Sequence, residues 1–487
     1  HIGIANTYAE NSPAHIHMRR LAEAVKQGVW EAGGIPIEFG VPSTCGNVSI
    51  GTPGMRYELA GRDAVAMAIE FVAEVSHFDG MVMLSCCDNI IPGAILAGLR
   101  TNIPSLMVTG GPMLTGQYRG KELITPDINV ATYASSEDIP PDFDRMEDAC
   151  CPGVGSCAVM GTANTMQILT EVLGYSLPGS ATVPAVHADR IRIARESGRR
   201  AVELVRERVT PRSIITRNAL DNATAVDLGI GGSSNAVLHI LAIAYEAGIP
   251  YSLDEFDKRR DIPCVCGVRS AGPYSVVDLY HAGGVPAVEK LLAPYLHLDA
   301  VNVGGSSLRE VIEAARPALG GVLRPLEQPW HTCSGLAVLR GNLAPAGAVI
   351  RTTGVVEGMQ RFRGPARVFD KEGPCAEAIL SGKVHAGDVL VIRYEGVKGS
   401  PGMNELMDAT DALVARKLDD KVGLITDGRF SGFNSGPIVG HIEPEAMAGG
   451  NLALVEDGDI IRVDCIDRVL ELEVSDEVLA ERRRRWK

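Results

Sequence analysis

The sequence predicts an α/β protein with two domains: an amino-terminal α/β domain on a mainly parallel sheet, and a carboxy-terminal β-barrel-like domain. In the first part, short apolar runs alternate with helical patterns, which is typical of βαβ units. Later, short β-type runs follow one another between Gly, Pro and Asp-Gly turns. Because 487 residues exceed what one hydrophobic core organises, we expect domains at 1–325 and 326–487.

The elements of both domains are predicted from hydrophobic periodicity and breakers. Apolar runs predict strands of the first sheet at 2–5, 35–39, 81–84 and 105–109. Apolar spacing and end signals predict helices at 18–32, 63–75, 94–99 and 236–246, and a charged surface helix at 190–208. In the second domain, β-type runs predict strands at 348–353, 366–369, 389–394, 421–426 and 460–464.

The composition excludes several classes of partner. A net charge of −14 without a basic stripe argues against nucleic acid, and Arg482–Arg485 is interpreted as the solvated end of a helix. No run of 18 apolar residues occurs, so no membrane span is expected. Eleven cysteines in a long acidic chain without a signal-peptide pattern favour thiol or metal chemistry in the cytoplasm. Because the chain begins with His1 rather than Met, we expect further residues upstream.

Two thiols and a carboxylate follow the strand predicted at 81–84, namely Cys86, Cys87 and Asp88, ahead of a Pro-Gly breaker. Open α/β sheets bind ligands at the carboxyl ends of their strands. Thiols beside a carboxylate indicate a soft metal centre next to a hard one. The alternative is a pair of buried structural cysteines, since a free Cys packs as a small hydrophobe.

Two further cysteine groups occur. Cys150, Cys151 and Cys157 lie on a Gly/Pro loop that enters a predicted helix, and a helix amino terminus lowers the pKa of a thiol. We therefore expect thiolates there, although the spacing matches no common zinc motif. Cys264 and Cys266 are either a metal clip on one face of a strand or two buried thiols.

Three glycine-containing loops are candidate ligand sites. Gly231–Asn235 opens a helix and is either an anion site or an ordinary N-cap. The loops at 394–405 and 426–436 each follow a predicted strand. Both hold polar side chains among glycines that let a ligand approach the backbone closely.

Six segments together resemble one family. They are Cys87-Asp88 with Pro92-Gly93, Pro152–Asn164, Gly231–Asn235, Gly341–Pro345, Gly402–Glu405 and Asp427–Gly432. In this order, across nearly the whole chain, they resemble the iron–sulfur dehydratases, which include dihydroxy-acid, 6-phosphogluconate and sugar-acid dehydratases.

The resemblance implies a hydro-lyase that converts a 2,3-dihydroxy acid or sugar acid to a 2-keto acid through an enol. It implies that Cys87 and Cys157 bind an iron–sulfur cluster that acts as a Lewis acid. It further implies Asp88 and Glu405 as ligands of Mg²⁺ and Ser431 as the base. An active site between the domains and a homodimer or dimer of dimers are also implied, whereas Cys86 and Cys151 are not expected to be ligands.

The sequence departs from the family pattern at three positions. Ala14 follows Pro13 where two-iron members have a cysteine, and Cys45, shared with the 6-phosphogluconate type, is expected to supply the third thiolate. We therefore favour [4Fe–4S] over [2Fe–2S]. Gly46 and Asn89 stand where relatives have an aspartate and a lysine that becomes carbamylated. The predicted Mg²⁺ site is short of anionic ligands, and the choice of hydroxy acid stays open.

Other functions stay open from the sequence alone. A divergent dehydratase could act on another hydroxy acid through the cluster without a full Mg²⁺ site. A non-catalytic paralogue could keep the fold as a binding or sensor protein, and a zinc-bound structural protein is a more distant alternative. The retained Ser431, Glu405 and Asp88 favour catalysis, and Phe433 and Asn434 indicate a bulky pocket wall beside Ser431.

Overall fold

The computed structural model describes residues 1–316, 318–432 and 435–486. The strands of the amino-terminal part are β1 Ile2–Asn6, β2 Pro36–Gly40, β3 Gly80–Ser85, β4 Ser105–Thr109, β5 Gly116–Tyr118 and β6 Lys121–Leu123. Its helices are α1 Met18–Glu31, α2 Gly46–Ser49, α3 Glu58–Ser76, α4 Ile90–Thr101, α5 Thr125–Thr132, α6 Phe143–Cys150, α7 Thr162–Val172, α8 Ala188–Glu207, α9 Pro211–Ile214, α10 Arg217–Ile230, α11 Ser234–Ala247, α12 Asp254–Asp257, α13 Val276–His281, α14 Gly284–Leu292 and α15 Leu308–Ala314.

The carboxy-terminal part is richer in strands. They are β7 Leu336–Leu339, β8 Gly347–Arg351, β9 Arg361–Phe369, β10 Val389–Ile392, β11 Glu405–Leu406, β12 Gly423–Thr426, β13 Arg429–Phe430, β14 Ile438–Glu443, β15 Ile460–Asp464 and β16 Val469–Leu472. Its helices are α16 Glu372–Leu380, α17 Asp408–Ala415 and α18 Asp476–Arg485.

The first sheet is parallel throughout and has the order β2-β1-β3-β4, which confirms the predicted α/β domain. Every residue of β3 is buried, as expected for a strand covered by helices on both faces. Helices α1 and α8 pack closely because Gly28 and Gly198 face backbone atoms of the other helix, where a Cβ would not fit.

The predicted breaker after Asp88 is wrong. Pro92 and Gly93 lie inside the first turn of α4, which begins at Ile90 rather than near Ala94. Proline is tolerated there because the amide nitrogens of a first turn have no partner within the helix. Cys87 and Asp88 therefore lie between the end of β3 and the start of α4, where an open sheet presents its ligands.

The second sheet forms a nearly closed barrel, as the sequence predicts. In the described part of the chain it has eight strands in the order β16-β15-β9-β10-β12-β14-β8-β7. A bridge between Arg340, just after β7, and Val469 in β16 brings the two edges together. The sequence prediction missed β7, β14 and β16, because runs of four to six residues are too short for periodicity to assign.

The structure corrects one prediction, that of a charged surface helix at 190–208, and bears on a second, the role of Cys264 and Cys266. Helix α8 is not charged surface throughout, because Arg190 is fully buried and donates to the carbonyl oxygens of Thr109 and Val183. Cys264 and Cys266 are also fully buried, and burial raises the pKa of Cys266 to about 12. They fit the interpretation as structural thiols. No described helix is both long and apolar enough to cross a membrane.

Candidate active site

The side chains named from the sequence meet at one cavity of about 160 Å³. Its lining includes Cys45, Cys87, Asp88, Cys157, Glu405 and Ser431. The first four belong to the amino-terminal part and the last two to the carboxy-terminal part, so the cavity lies between them. A larger cleft of about 750 Å³, lined by residues such as Asp189 and Tyr280, contains none of these six side chains.

Strand pairing explains how Glu405 and Ser431 come together. The short strands β11 and β13 run parallel, with Glu405 opposite Arg429 and Leu406 opposite Phe430. Ser431 directly follows β13, so it leaves the parallel pair at the same end as Met407, two positions beyond the partner of Glu405. Two loops that are distant in sequence therefore deliver a carboxylate and a hydroxyl to the same cavity.

Cys45 and Cys87 share a hydrogen bond, and Asn47, two residues after Cys45, binds Cys157. The hydrogen bond from the Cys87 thiol lowers the pKa of Cys45 to about 7 and raises the pKa of Cys87. The Asn47 side-chain amide donates to Cys157 Sγ at 3.0 Å and ties the Cys45 loop to the third thiol. Cys87 has a φ of 69°, a left-handed backbone that a non-glycine residue adopts at local cost and that often marks a functional site.

The prediction of a lowered thiol pKa at Cys157 is wrong. Burial raises its pKa to about 12, and Cys157 lies in the loop before Gly161, the N-cap of α7, outside the reach of the helix terminus. Cys151 is exposed and also lines the cavity, whereas Cys86 is fully buried with a pKa that burial raises to about 12. A buried thiol of this kind ionises only when a cation or metal takes the place of the proton.

Asp88 and Glu405 form the acidic side of the cavity. Burial, followed by the charge of Glu405, raises the pKa of Asp88, and burial also raises the pKa of Glu405. Arg429, fully buried, donates from Nη1 to Glu405 Oε2 at 2.9 Å and from Nε to the Met403 carbonyl oxygen at 2.9 Å. Within the described ranges, no three His, Cys, Asp or Glu side chains are already arranged as ligands around one point.

The helix start at Gly231–Asn235 supports the serine loop. Ser233 is an N-cap whose side chain accepts from the Asn235 amide at 3.2 Å, as one of the two sequence interpretations has it. Its hydroxyl also lies 2.9 Å from Thr162 Oγ1 and in close contact with Gly432, next to Ser431. Sequence reasoning missed this contact because the two loops are far apart in the chain. Phe433 and Asn434, predicted to form a bulky wall, lie outside the described residues.

Replacing Gly432 with alanine is expected to lower kcat at least about tenfold. Gly432 has a φ of 79°, which disfavours any side chain, and a Cβ there would overlap Ser233 Oγ. The loop must therefore shift, and displacement of a catalytic group by about 1 Å costs up to about a hundredfold in rate. Gly358→Ala is the control, because no described atom lies within 4 Å of its Cβ. Equal kcat values for the two variants would contradict the view that the Ser233–Gly432 contact positions Ser431.

Comparison with known proteins identifies the family. The family model described as dihydroxy-acid/6-phosphogluconate dehydratase, N-terminal, matches residues 1–311, and the corresponding C-terminal model matches residues 321–487. The chain belongs to this dehydratase family. The predicted domain boundary at residue 325 stays a prediction, because neither match tests it.

Members of the dehydratase family from archaea and bacteria are similar to this chain over nearly its whole length. Dihydroxy-acid dehydratase from Pyrococcus furiosus is 46% identical, with 100% of this chain and 89% of the relative covered. The proteins of the same name from Acetivibrio thermocellus and Methanothermobacter thermautotrophicus are 46% and 47% identical, with coverage of 100% and 99% of this chain and 89% and 88% of the relative. The protein is therefore an enzyme of the hydro-lyase class.

Proposed function

We propose that the enzyme dehydrates a 2,3-dihydroxy acid to a 2-keto acid in the cavity between its two parts. The observation that carries the proposal is that the three proposed ligand thiols, two carboxylates and one serine, drawn from both parts, line that single cavity. When bound, an iron–sulfur cluster supplies a Lewis acid for the departing C3 hydroxyl group, and Mg²⁺ supplies positive charge for the oxygens at C1 and C2. A homodimer or dimer of dimers is part of the proposal and rests on the family resemblance alone.

The thiols fit an iron–sulfur cluster. Cys45, Cys87 and Cys157 line the cavity, and Cys45 has a pKa of about 7, lowered by its hydrogen bond with Cys87. A soft thiolate set suits iron–sulfur clusters better than hard cations. Three cysteine ligands leave one iron of a [4Fe–4S] cluster open to substrate, which is the reason that we propose this type over [2Fe–2S].

The carboxylates fit a hard divalent cation. Asp88 and Glu405 both line the cavity, and burial and mutual repulsion oppose their ionisation. A divalent cation relieves that repulsion, and oxygen ligands are the ones that Mg²⁺ prefers. Gly46 and Asn89 add no charge, so this pair is the core of the proposed Mg²⁺ site.

Ser431 is proposed as the base. Its hydroxyl group, once deprotonated, takes the proton from C2 while the hydroxide at C3 leaves and is protonated to water. The resulting enol gains a proton at C3 and loses the proton of its C2 hydroxyl group, which gives the 2-keto acid, so that substrate equals product plus water. Arg429, two residues earlier and fully buried, brings a guanidinium group to the same segment, and positive charge near a serine favours its deprotonated form.

The cavity lining favours a substrate with alkyl rather than polyhydroxylated substituents at C3. Val48, Met113, Val159 and Met407 contribute apolar side chains to the wall. An apolar wall gains from burying alkyl groups and leaves the hydroxyl groups of a sugar acid without hydrogen-bond partners. The named dihydroxy-acid dehydratases among the relatives support the same choice. A sugar-acid dehydratase is the second candidate.

The test is a dehydration assay in D₂O with anaerobically prepared, cluster-loaded enzyme. A branched-chain 2,3-dihydroxy acid is expected to give a 2-keto acid that carries one deuterium at C3, because the enol takes that proton from solvent. A six-carbon aldonic acid is expected to react at least about tenfold more slowly. Faster turnover of the aldonic acid would favour the sugar-acid candidate. No keto acid from either class, at full iron content, would refute the proposed reaction.

A further inference from the structure

The outer face of α3 is apolar, although it is exposed to solvent. The inner face of this helix carries the buried Val65 and Ile69, and α4 packs along the helix. On the outer face, Met67 is 62% exposed and Phe71 is 68% exposed. A helix at the surface of a protein normally turns charged or polar side chains away from the core. The outer face of α3 therefore has the character of an interaction surface.

The exposed side chains of this face form a seam with the spacing of a coiled coil. They occur at alternating intervals of three and four residues, and Val75 lies beside the last of them. The α3 seam consists of Tyr57, Ala60, Ala64, Met67, Phe71, Glu74 and Val75, all of which are exposed. Such alternation keeps side chains on one line of a helix, where a second helix packs lengthwise. The helix has 19 residues and is about 28 Å long, so the seam predicts an extended helix–helix contact.

The α3 seam is complementary to itself when two copies of the helix lie antiparallel. With a two-fold axis at the level of positions 65 and 66, the facing pairs are Tyr57 with Glu74, Ala60 with Phe71, and Ala64 with Met67. Each large apolar side chain of these pairs then meets a small one, which close packing between helices requires. The hydroxyl group of Tyr57 meets a carboxylate that can accept its hydrogen bond. A two-fold axis makes every contact occur twice, so one face serves both copies.

The α3 seam exposes enough apolar surface for the contact between two copies. Tyr57 is 76% exposed and Val75 is 66% exposed, in addition to Met67 and Phe71. Since an aromatic side chain buries about 150–250 Å², the six apolar side chains of the seam together present roughly 600 Å² per copy. Apolar patches of this size mark sites of association. A specific interface takes about 800 Å² from each partner, so the seam supplies most of one.

The charges beside the α3 seam do not oppose the pairing of two copies. Asp63 and Glu70 flank the seam. Their carboxylates lie 3.5 Å from the guanidinium groups of Arg62 and Arg100, respectively, in the same chain. These ion pairs reduce the repulsion between like charges across a two-fold axis. The seam contains neither lysine nor arginine, so it lacks the charge by which an amphipathic helix binds an anionic lipid surface.

We infer that two copies of this chain associate through antiparallel pairing of their α3 seams about a two-fold axis. The inference rests on the part of the proposed function that makes the enzyme a homodimer or a dimer of dimers, and it names the surface. It does not depend on the proposed reaction. A second copy is the occupant that the seam specifies, because it presents the same spacing, the same apolar area and small side chains opposite the large ones.

The test compares the molar mass of the wild-type protein and of Phe71→Glu by size-exclusion chromatography with light scattering. One chain has a mass of 51.7 kDa, and the wild type is expected to have the mass of a dimer or of a dimer of dimers. Phe71→Glu is expected to halve that mass at micromolar concentration, because the interface would bury an unpaired charge. Ile466→Glu, at an exposed apolar position in the turn between β15 and β16, is the matched control and is expected to keep the wild-type mass.

Paired charge variants test the antiparallel register. Ala64→Glu and Met67→Lys are each expected to halve the mass, since each buries one charge without a partner. The variant with both substitutions is expected to restore the wild-type mass, because a carboxylate at position 64 then faces an ammonium group at position 67 of the other copy. Ala64→Glu combined with Phe71→Lys is the control and is expected to stay dissociated, because these two positions do not face each other. Circular dichroism confirms that each variant is folded.

The outcomes separate this inference from the function on which it rests. If Phe71→Glu and both single charge variants keep the wild-type mass, the α3 interface is refuted and the homodimer stands on another surface. If the wild type has the mass of one chain, the inference and the homodimer are both refuted, and the dehydration assay still decides the reaction. Halved masses without rescue refute the antiparallel register. Halved masses that only the facing pair restores support the interface.

Discussion

Replacing Ser431 with alanine is expected to lower kcat about a thousandfold or more. Ser431 lines the cavity together with Asp88, Glu405 and the three proposed ligand thiols, and it is the proposed acceptor of the C2 proton. General-base catalysis contributes on the order of 10²–10⁴-fold, and alanine cannot accept a proton. The measurement is keto-acid formation by enzyme of known iron content. Because Ser431 is not a proposed cluster ligand, the iron content is expected to stay at the wild-type level.

The control for this variant is Ser435→Ala. Ser435 belongs to the same loop, but its hydroxyl group donates to Asp419 Oδ2 at 2.6 Å. We expect kcat within about threefold of wild type, because loss of one partly buried hydrogen bond costs only about 1 kcal/mol of stability. If Ser431→Ala keeps more than a tenth of wild-type kcat at full iron content, Ser431 is not the base. The C2 proton would then have to reach another group of the cavity.

Replacing Cys45 with serine is expected to remove most of the iron and sulfide from the anaerobically purified enzyme. Cys45 lines the cavity with the other two proposed ligands, and its pKa of about 7 makes it the thiol that ionises most readily. A serine hydroxyl is a hard, weakly acidic ligand and a poor substitute for a thiolate. Wild-type enzyme is expected to hold about four irons per chain for the proposed [4Fe–4S] cluster.

Cys151→Ser is the matched control, because Cys151 lines the same cavity but is not a proposed ligand. We expect it to keep the wild-type iron content. Two irons per chain that survive Cys45→Ser would refute both the [4Fe–4S] type and the ligand set. If Cys151→Ser loses iron while Cys45→Ser keeps it, Cys151 rather than Cys45 is the third cluster ligand.

The local features of the site were predictable because each is encoded within a few residues. The apolar run that becomes β3 and the Cys87-Asp88 pair that follows it identify a strand end with reactive groups. The same reasoning failed where packing against the rest of the protein overrode a rule based on neighbouring residues. Pro92 was expected to stop a helix and lies inside its first turn. Cys157 was expected to be ionised and has a pKa that burial raises to about 12.

Contacts between distant segments could not be read from the sequence. Ser233 supports Gly432 across about two hundred residues of chain. Arg429 gives no sign of its role in the sequence, since an arginine in a loop is usually solvated. Its complete burial against Glu405 appears only when β11 and β13 pair.

The α/β and barrel architecture, the family resemblance and the candidate site residues could all be predicted from the sequence. These features depend on periodicity, turn residues and short motifs, which are properties of neighbours in the chain. Folding alone brings these candidates from distant parts of the chain into one cavity. The physical reason is that pKa values and ligand sets depend on burial and on charges brought within a few ångströms by folding.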